Sequence, residues 1–198
     1  REEWVAVRRA DEDSADGWSE LAALYAALGR GDDADRSLRR ALALDPSRAS
    51  DWGNLADLYE ATGRPEEAQD ALARGLAHRP EAPALIHARG LAHIRGGRRE
   101  EALADLRRAV ELGPGVSRFA YVYVVALLDL GGEDAASAEL EAALTRYPRD
   151  PQLLSLAVSL AQRRGDREAA LAAARILEES DPGDPGYQSL VLQLRLED

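Results

Sequence analysis

The sequence predicts an all-α chain: a solenoid of antiparallel helix pairs, about five repeats of 34 residues and then a capping helix. Three columns of residues predict it. Gly29, Gly63, Gly97, Gly131 and Gly165 stand a constant 34 residues apart, and so do Pro46, Pro80, Pro114, Pro148 and Pro182. Ala34, Ala68, Ala102, Ala136 and Ala170 keep one offset between them, with no insertion. A fixed period of this length marks a fold built by stacking one supersecondary unit, because a lone helix pair cannot bury its own apolar face.

The register gives the elements in order. Residues 1–13 put Trp4 in the large apolar column of a second helix and Val7 in its small column. They are expected to be the second helix of a truncated preceding repeat, with Asp13-Ser14 as the turn. Repeat one, 15–48, has Trp18, Leu21, Ala22 and Tyr25 at spacings of three and four, which share one helix face. Gly29 ends that helix by taking the left-handed conformation. Ala34, Leu38 and Ala41 supply the facing stripe, and Pro46 stops the second helix because it has no amide hydrogen and clashes with the preceding turn. Repeat two, 49–82, carries the pattern most fully, in Trp52, Leu55, Ala56, Tyr59, Gly63, Ala68, Leu72 and Pro80. The small residues let the two helices approach closely.

The later repeats drift. Repeat three, 83–116, has Arg89 where the first two have Leu and His93 where they have Tyr. Both are expected to be tolerated at partly exposed positions, an arginine stem covering apolar surface while its head reaches water. Repeat four, 117–150, opens with the most apolar helix of the chain, Phe119 to Leu128, which reads as buried on most sides. Repeat five is 151–184. In 185–198, Tyr187, Leu190, Val191 and Leu194 form the stripe of a capping helix whose other face, with Gln188, Gln193 and Arg195, can meet water.

Composition narrows the function classes. All 25 cationic residues are Arg, which with the richness in Ala points to a GC-rich, bacterial coding history. A net charge of −11 argues against a general nucleic-acid binder. Charge is uneven: repeat three has six Arg against four acids, a net of +2, whereas repeat two is at −4 and repeat four at −3. Arg98, Arg99, Arg107 and Arg108 are expected to solvate an outer face and pair with nearby acids. The absence of cysteine leaves no disulfide, thiolate or haem-attachment motif within these residues and leaves the compartment, cytoplasmic or periplasmic, open. No run approaches the roughly 18 apolar residues of a transmembrane helix, so no membrane insertion is expected.

The columns resemble the tetratricopeptide repeat family: Trp, Leu, small and aromatic in a first helix, then Ala, a large apolar residue and Ala in a second. The resemblance implies a right-handed superhelical solenoid whose ligands, protein segments or peptides, lie on the concave face made by the first helices. Carried over to this sequence, it implies partner contacts at Asn54, Asp57, His87, Leu91, Ile94, Arg95, Arg118, Tyr121, Val122, Val125 and Leu128, with Gln152, Ser155, Ser159 and Gln162 continuing the face. Such a mixed apolar and polar surface suits an extended peptide or short amphipathic helix. The Lys, Asn and Arg clamp of family members that hold chaperone tails is absent: only Asn54 fits, with Ser19, Ala23, Ala84 and Ala88 at the other positions.

Enzymatic motifs are missing. His87 and His93 are six residues apart, not the three or four that put two metal ligands on one helix face. Glu66-Glu67 and Glu100-Glu101 sit at helix starts, where the macrodipole favours anions. There is no phosphate loop and no nucleophile turn. The expectation is a non-catalytic scaffold with no cofactor and no metal. A second resemblance, carried by Asn54 to Tyr59, Arg118 to Leu127, Leu153-Leu154, Gly165 and Asp181-Pro182, is to the repeat tails of bacterial multihaem cytochromes c, and implies a docking or packing domain of an exported electron-transfer protein. A third expectation is self-association through the truncated N-terminal end, where Trp4 and Trp18 would be uncovered.

Overall fold

The structure, a computed structural model, describes residues 14–130 and 132–196, so Trp4, Val7 and Asp13 of the expected truncated repeat, and Gly131, lie outside the described residues. Among the described residues there are eleven helices and no strand. The chain divides into two compact units, residues 1–113 and 114–198.

The first unit holds α1 (Ala15–Ala27), α2 (Gly31–Leu44), α3 (Ala49–Ala61), α4 (Pro65–His78), α5 (Pro83–Arg95) and α6 (Arg99–Leu112). Successive helices pair as hairpins, α1 with α2, α3 with α4 and α5 with α6; α2 then packs on α3, α4 on α5, and α3 on α5. The hairpin turns explain the glycine column. Gly29, Gly63 and Gly97 have φ of 69°, 71° and 71°, and a β-carbon at any of them would meet nothing within 4 Å. Conformation, not space, demands glycine there. The turn lets the next amide reach back five residues: Arg30 N–H donates to the Tyr25 carbonyl at 2.8 Å, Arg64 to Tyr59 at 2.8 Å and Arg98 to His93 at 2.9 Å. Gly75 has a different reason. Its β-carbon would stand 2.7 Å from Cβ of Trp52 and 2.8 Å from Cδ1 of Leu85, so close approach of three helices requires its absence.

The second unit holds α7 (Ser117–Asp129), α8 (Glu133–Arg146), α9 (Pro151–Arg163), α10 (Arg167–Ser180) and α11 (Pro185–Leu196), each packed on its successor. The Asp150 carboxylate caps α9, accepting the Gln152 and Leu153 amides at 3.0 Å each. Its core joins Leu154, Val158, Ala170, Ala174 and Leu177 to Val191 and Leu194 of α11, with Tyr187 and Leu190 half-buried against them. In α7, Phe119, Ala120, Val124 and Ala126 are buried, while Tyr121, Val122, Val125 and Leu128 are only half-buried.

Candidate functional site

The expected contact residues fall into one set per unit. In the first, α3 presents Asn54 and Asp57 to solvent. With Ala23 and Ala26 of α1 and Leu58 and Ala61 of α3 they border a shallow groove of about 540 Å³. On α5, Leu91 is half-buried, Ile94 is 40% exposed, and Arg95 reaches across to α3, its guanidinium 2.7 Å from the Glu60 carboxylate. His87 departs from the expected exposed position: it is 7% exposed, in a buried run with Leu85 and Ile86. The reason is that α5 is packed by α3, α4 and α6, and this closure takes in the fifth position of the repeat.

The second set lies on α7. Arg118 is exposed and, over the next three turns, Tyr121, Val122, Val125 and Leu128 form a half-buried apolar strip. Tyr121 also borders a groove of about 430 Å³ with Gln152, Ser155 and Ser159 of α9 and Tyr187 of α11. The sequence reading assigned Tyr187 to the capping stripe alone. Continuing the 34-residue register would have shown it at the third position of a further first helix.

Two polar clusters in the first unit were missed. Arg89 is partly exposed, as expected, but its head is committed within the hairpin: its Nε and Nη2 donate to the two oxygens of Asp105, each at 2.7 Å, and His93 Nε2 lies 3.3 Å from the same carboxylate. Burial, and then the neighbouring Arg98 charge, hold the His93 imidazole below its ordinary pKa. Further along, the Tyr59 hydroxyl donates to Asp35 at 2.7 Å and receives Arg39 Nη2 at 2.7 Å. Burial pushes the Asp35 carboxyl up, but hydrogen bonds from Tyr59 and Arg39 outweigh it and the net shift is downward. Tyr59 and Arg39 edge a groove of about 470 Å³ between α2 and α4, where Arg74 lies 4.8 Å over the Trp52 ring and His78 stacks on it. Arg107 and Arg108 behave as expected, pairing with Glu111 and, for Arg108, Glu81.

Comparison with known proteins gives one consistent result. A family model described as Tetratricopeptide repeat matches residues 13–81, and a second with the same description matches 54–117, 87–151 and 124–185. No curated protein matches. Among solved structures, the pilus biogenesis factor PilW superposes with a TM-score of 0.73 at 21% identity, covering 93% of this chain and 86% of its own. YrrB, a TPR protein with an unusual peptide-binding site, gives 0.62 at 21% identity over 96% of both chains. The APC/C hetero-tetramer Cut9-Hcn1 gives 0.69 at 16% identity, covering 94% of this chain but only 37% of the chain it matches.

Proposed function

The chain belongs to the tetratricopeptide repeat family, whose members generally act as protein-interaction scaffolds, and from that premise we propose that it is a non-catalytic scaffold binding a segment of a partner protein on the face lined by its first helices. The observation that carries the reading is the strip on α7. Val122, Val125 and Leu128, with Tyr121, are apolar residues that the fold leaves half-exposed in a row, next to the exposed Arg118. An uncovered apolar strip rimmed by a cation is what a partner's apolar side chains and one carboxylate would complete. That YrrB has a peptide-binding site on the same fold supports the reading. Asn54, Asp57, Leu91, Ile94 and Arg95 are the corresponding contacts proposed in the first unit; there Arg95 would have to exchange Glu60 for a partner group.

The test is a pull-down from lysate of a GC-rich bacterium, comparing the wild-type chain with a Tyr121→Ala, Val125→Glu variant of unchanged circular dichroism. A partner captured by the wild type and lost by the variant is the expected result. A partner retained equally by both would move the binding surface off α7.

A further inference from the structure

The groove beside Tyr121 has a chemistry of its own. Its lining carries hydroxyls, an amide and two phenol rings, and no charged side chain. Among the described residues, the side-chain polar groups of Tyr121, Gln152, Ser155 and Tyr187 have no hydrogen-bond partner in the protein. Ser159 spends its hydrogen on the Ser155 carbonyl at 3.0 Å and keeps its oxygen as an acceptor. Tyr121 comes from α7, the three polar residues from α9 and Tyr187 from α11.

That inventory discriminates among peptide conformations. A charged ligand would give up hydration without finding a counter-ion. A helical segment has already satisfied its carbonyls internally and cannot use four donors side by side. A strand would need a sheet edge, and helices offer none. A polyproline II segment meets every condition: it has no internal hydrogen bonds, so its carbonyls are free to accept, and its pyrrolidine rings pack on aromatic faces. Length agrees as well. Gln152, Ser155 and Ser159 lie along one side of α9, spanning about 10 Å of helix axis, and one polyproline turn advances about 9 Å. The segment is also stiff before it binds, which lowers the ordering cost.

We infer that the groove formed by Tyr121, Gln152, Ser155, Ser159 and Tyr187 receives a proline-rich segment of a partner protein in the polyproline II conformation. The inference rests on the interaction-scaffold reading and names the ligand class for this part of it. The tyrosine rings hold the prolines, while the Tyr, Ser and Gln donors take successive carbonyls.

The test uses the whole chain and a fluorescein-labelled octaproline amide, with an octapeptide of alternating Gly and Ser as control, followed by anisotropy. Octaproline should bind saturably and at least about tenfold tighter than the control. Tyr187→Ala should weaken it by about fivefold or more. Tyr187→Phe and Tyr121→Phe, which keep the rings and the fold and remove one donor each, should weaken it about threefold each. Equal affinity for the two peptides, or unchanged octaproline binding by the Phe and Ala variants, overturns the inference. If the partner captured through Tyr121 and Val125 still binds while octaproline does not, the inference alone falls; if neither binds, both readings fall.

Discussion

Arg89 of α5 holds Asp105 of α6 in a fork, two parallel N–H···O bonds of 2.7 Å. It stands in the column occupied by Leu21 and Leu55 in the first two repeats. A hydrophobic contact across the hairpin has been exchanged for a charge-assisted one. Asp105→Ala is therefore expected to destabilise the chain by about 1–2 kcal/mol, the bidentate value reduced because Arg89 is partly exposed. The double variant Arg89→Leu, Asp105→Leu should recover most of that loss, since apolar pairs commonly replace such ion pairs at little cost. Urea titration followed by circular dichroism measures both. A double variant no better than Asp105→Ala would show that the fork contributes more than the leucine column it replaces.

His93 gives the chain a pH dependence. Burial and Arg98 lower its pKa in the fold, against an ordinary value of 6.5 in the unfolded chain. Asp105 and Glu101 pull the other way and Arg89 adds to the depression. The unfolded state therefore takes up the proton first. The contribution of neutral His93 is present above about pH 6.5 and is lost as pH falls below it toward the folded pKa. Melting temperatures of the wild type should fall more steeply between pH 7.5 and 5.5 than those of His93→Phe, which restores the aromatic of the first two repeats. Parallel curves would show that the ring's surroundings do not penalise its charge.

Two helical glycines separate packing from propensity. Gly53→Ala should stabilise the chain by up to about 1 kcal/mol, the helix-propensity gain, because its β-carbon would sit 3.7 Å from Leu85, an ordinary contact. Gly75→Ala gains the same propensity but drives a methyl to 2.7 Å from Cβ of Trp52. Overpacking of that kind costs about 1–3 kcal/mol and outweighs the gain. Opposite signs in thermal unfolding are expected. Stabilisation by both would mean that α4 can shift away from α3 without loss.

What could be read from the sequence was what single residues enforce locally. A left-handed turn needs Gly29, Gly63 or Gly97 wherever the neighbours lie, and Pro46, Pro80, Pro114, Pro148 and Pro182 each stand two residues past the end of a second helix, which a proline cannot continue. Those constraints repeat with the fold, so counting finds them. The burial of His87 and the Arg89–Asp105 fork depend instead on how helices sixteen or more residues apart meet, which no column records. Repeat two has Gly53 where repeat three has His87, so the register predicts a position but not the side chain's depth. For Tyr187 only half of its role was legible: its packing against the core of the second unit is written in its helical stripe, and its place beside Tyr121 is not.

The junction between the first two repeats is pinned by a buried carboxylate. Asp51 of α3 is 0% exposed, accepting the Ser19 hydroxyl of α1 at 2.5 Å and Arg48 Nε at 2.6 Å, while Arg48 also reaches Asp16 of α1 at 2.5 Å. One anion thus ties α3 to α1 and to the loop between α2 and α3. Removing its cation is the more damaging change, because a buried charge left without a partner costs more than one lost hydrogen bond. Arg48→Ala is expected to destabilise by roughly 3 kcal/mol and Ser19→Ala by about 1–2 kcal/mol. Stacked repeats contact mainly their neighbours, so the damage should be local. Hydrogen exchange in Arg48→Ala should show the amides of α1 and α2 losing protection well before those of α9 and α10. Uniform loss across all helices would mean that the repeats unfold as one cooperative body, with Asp51 felt everywhere.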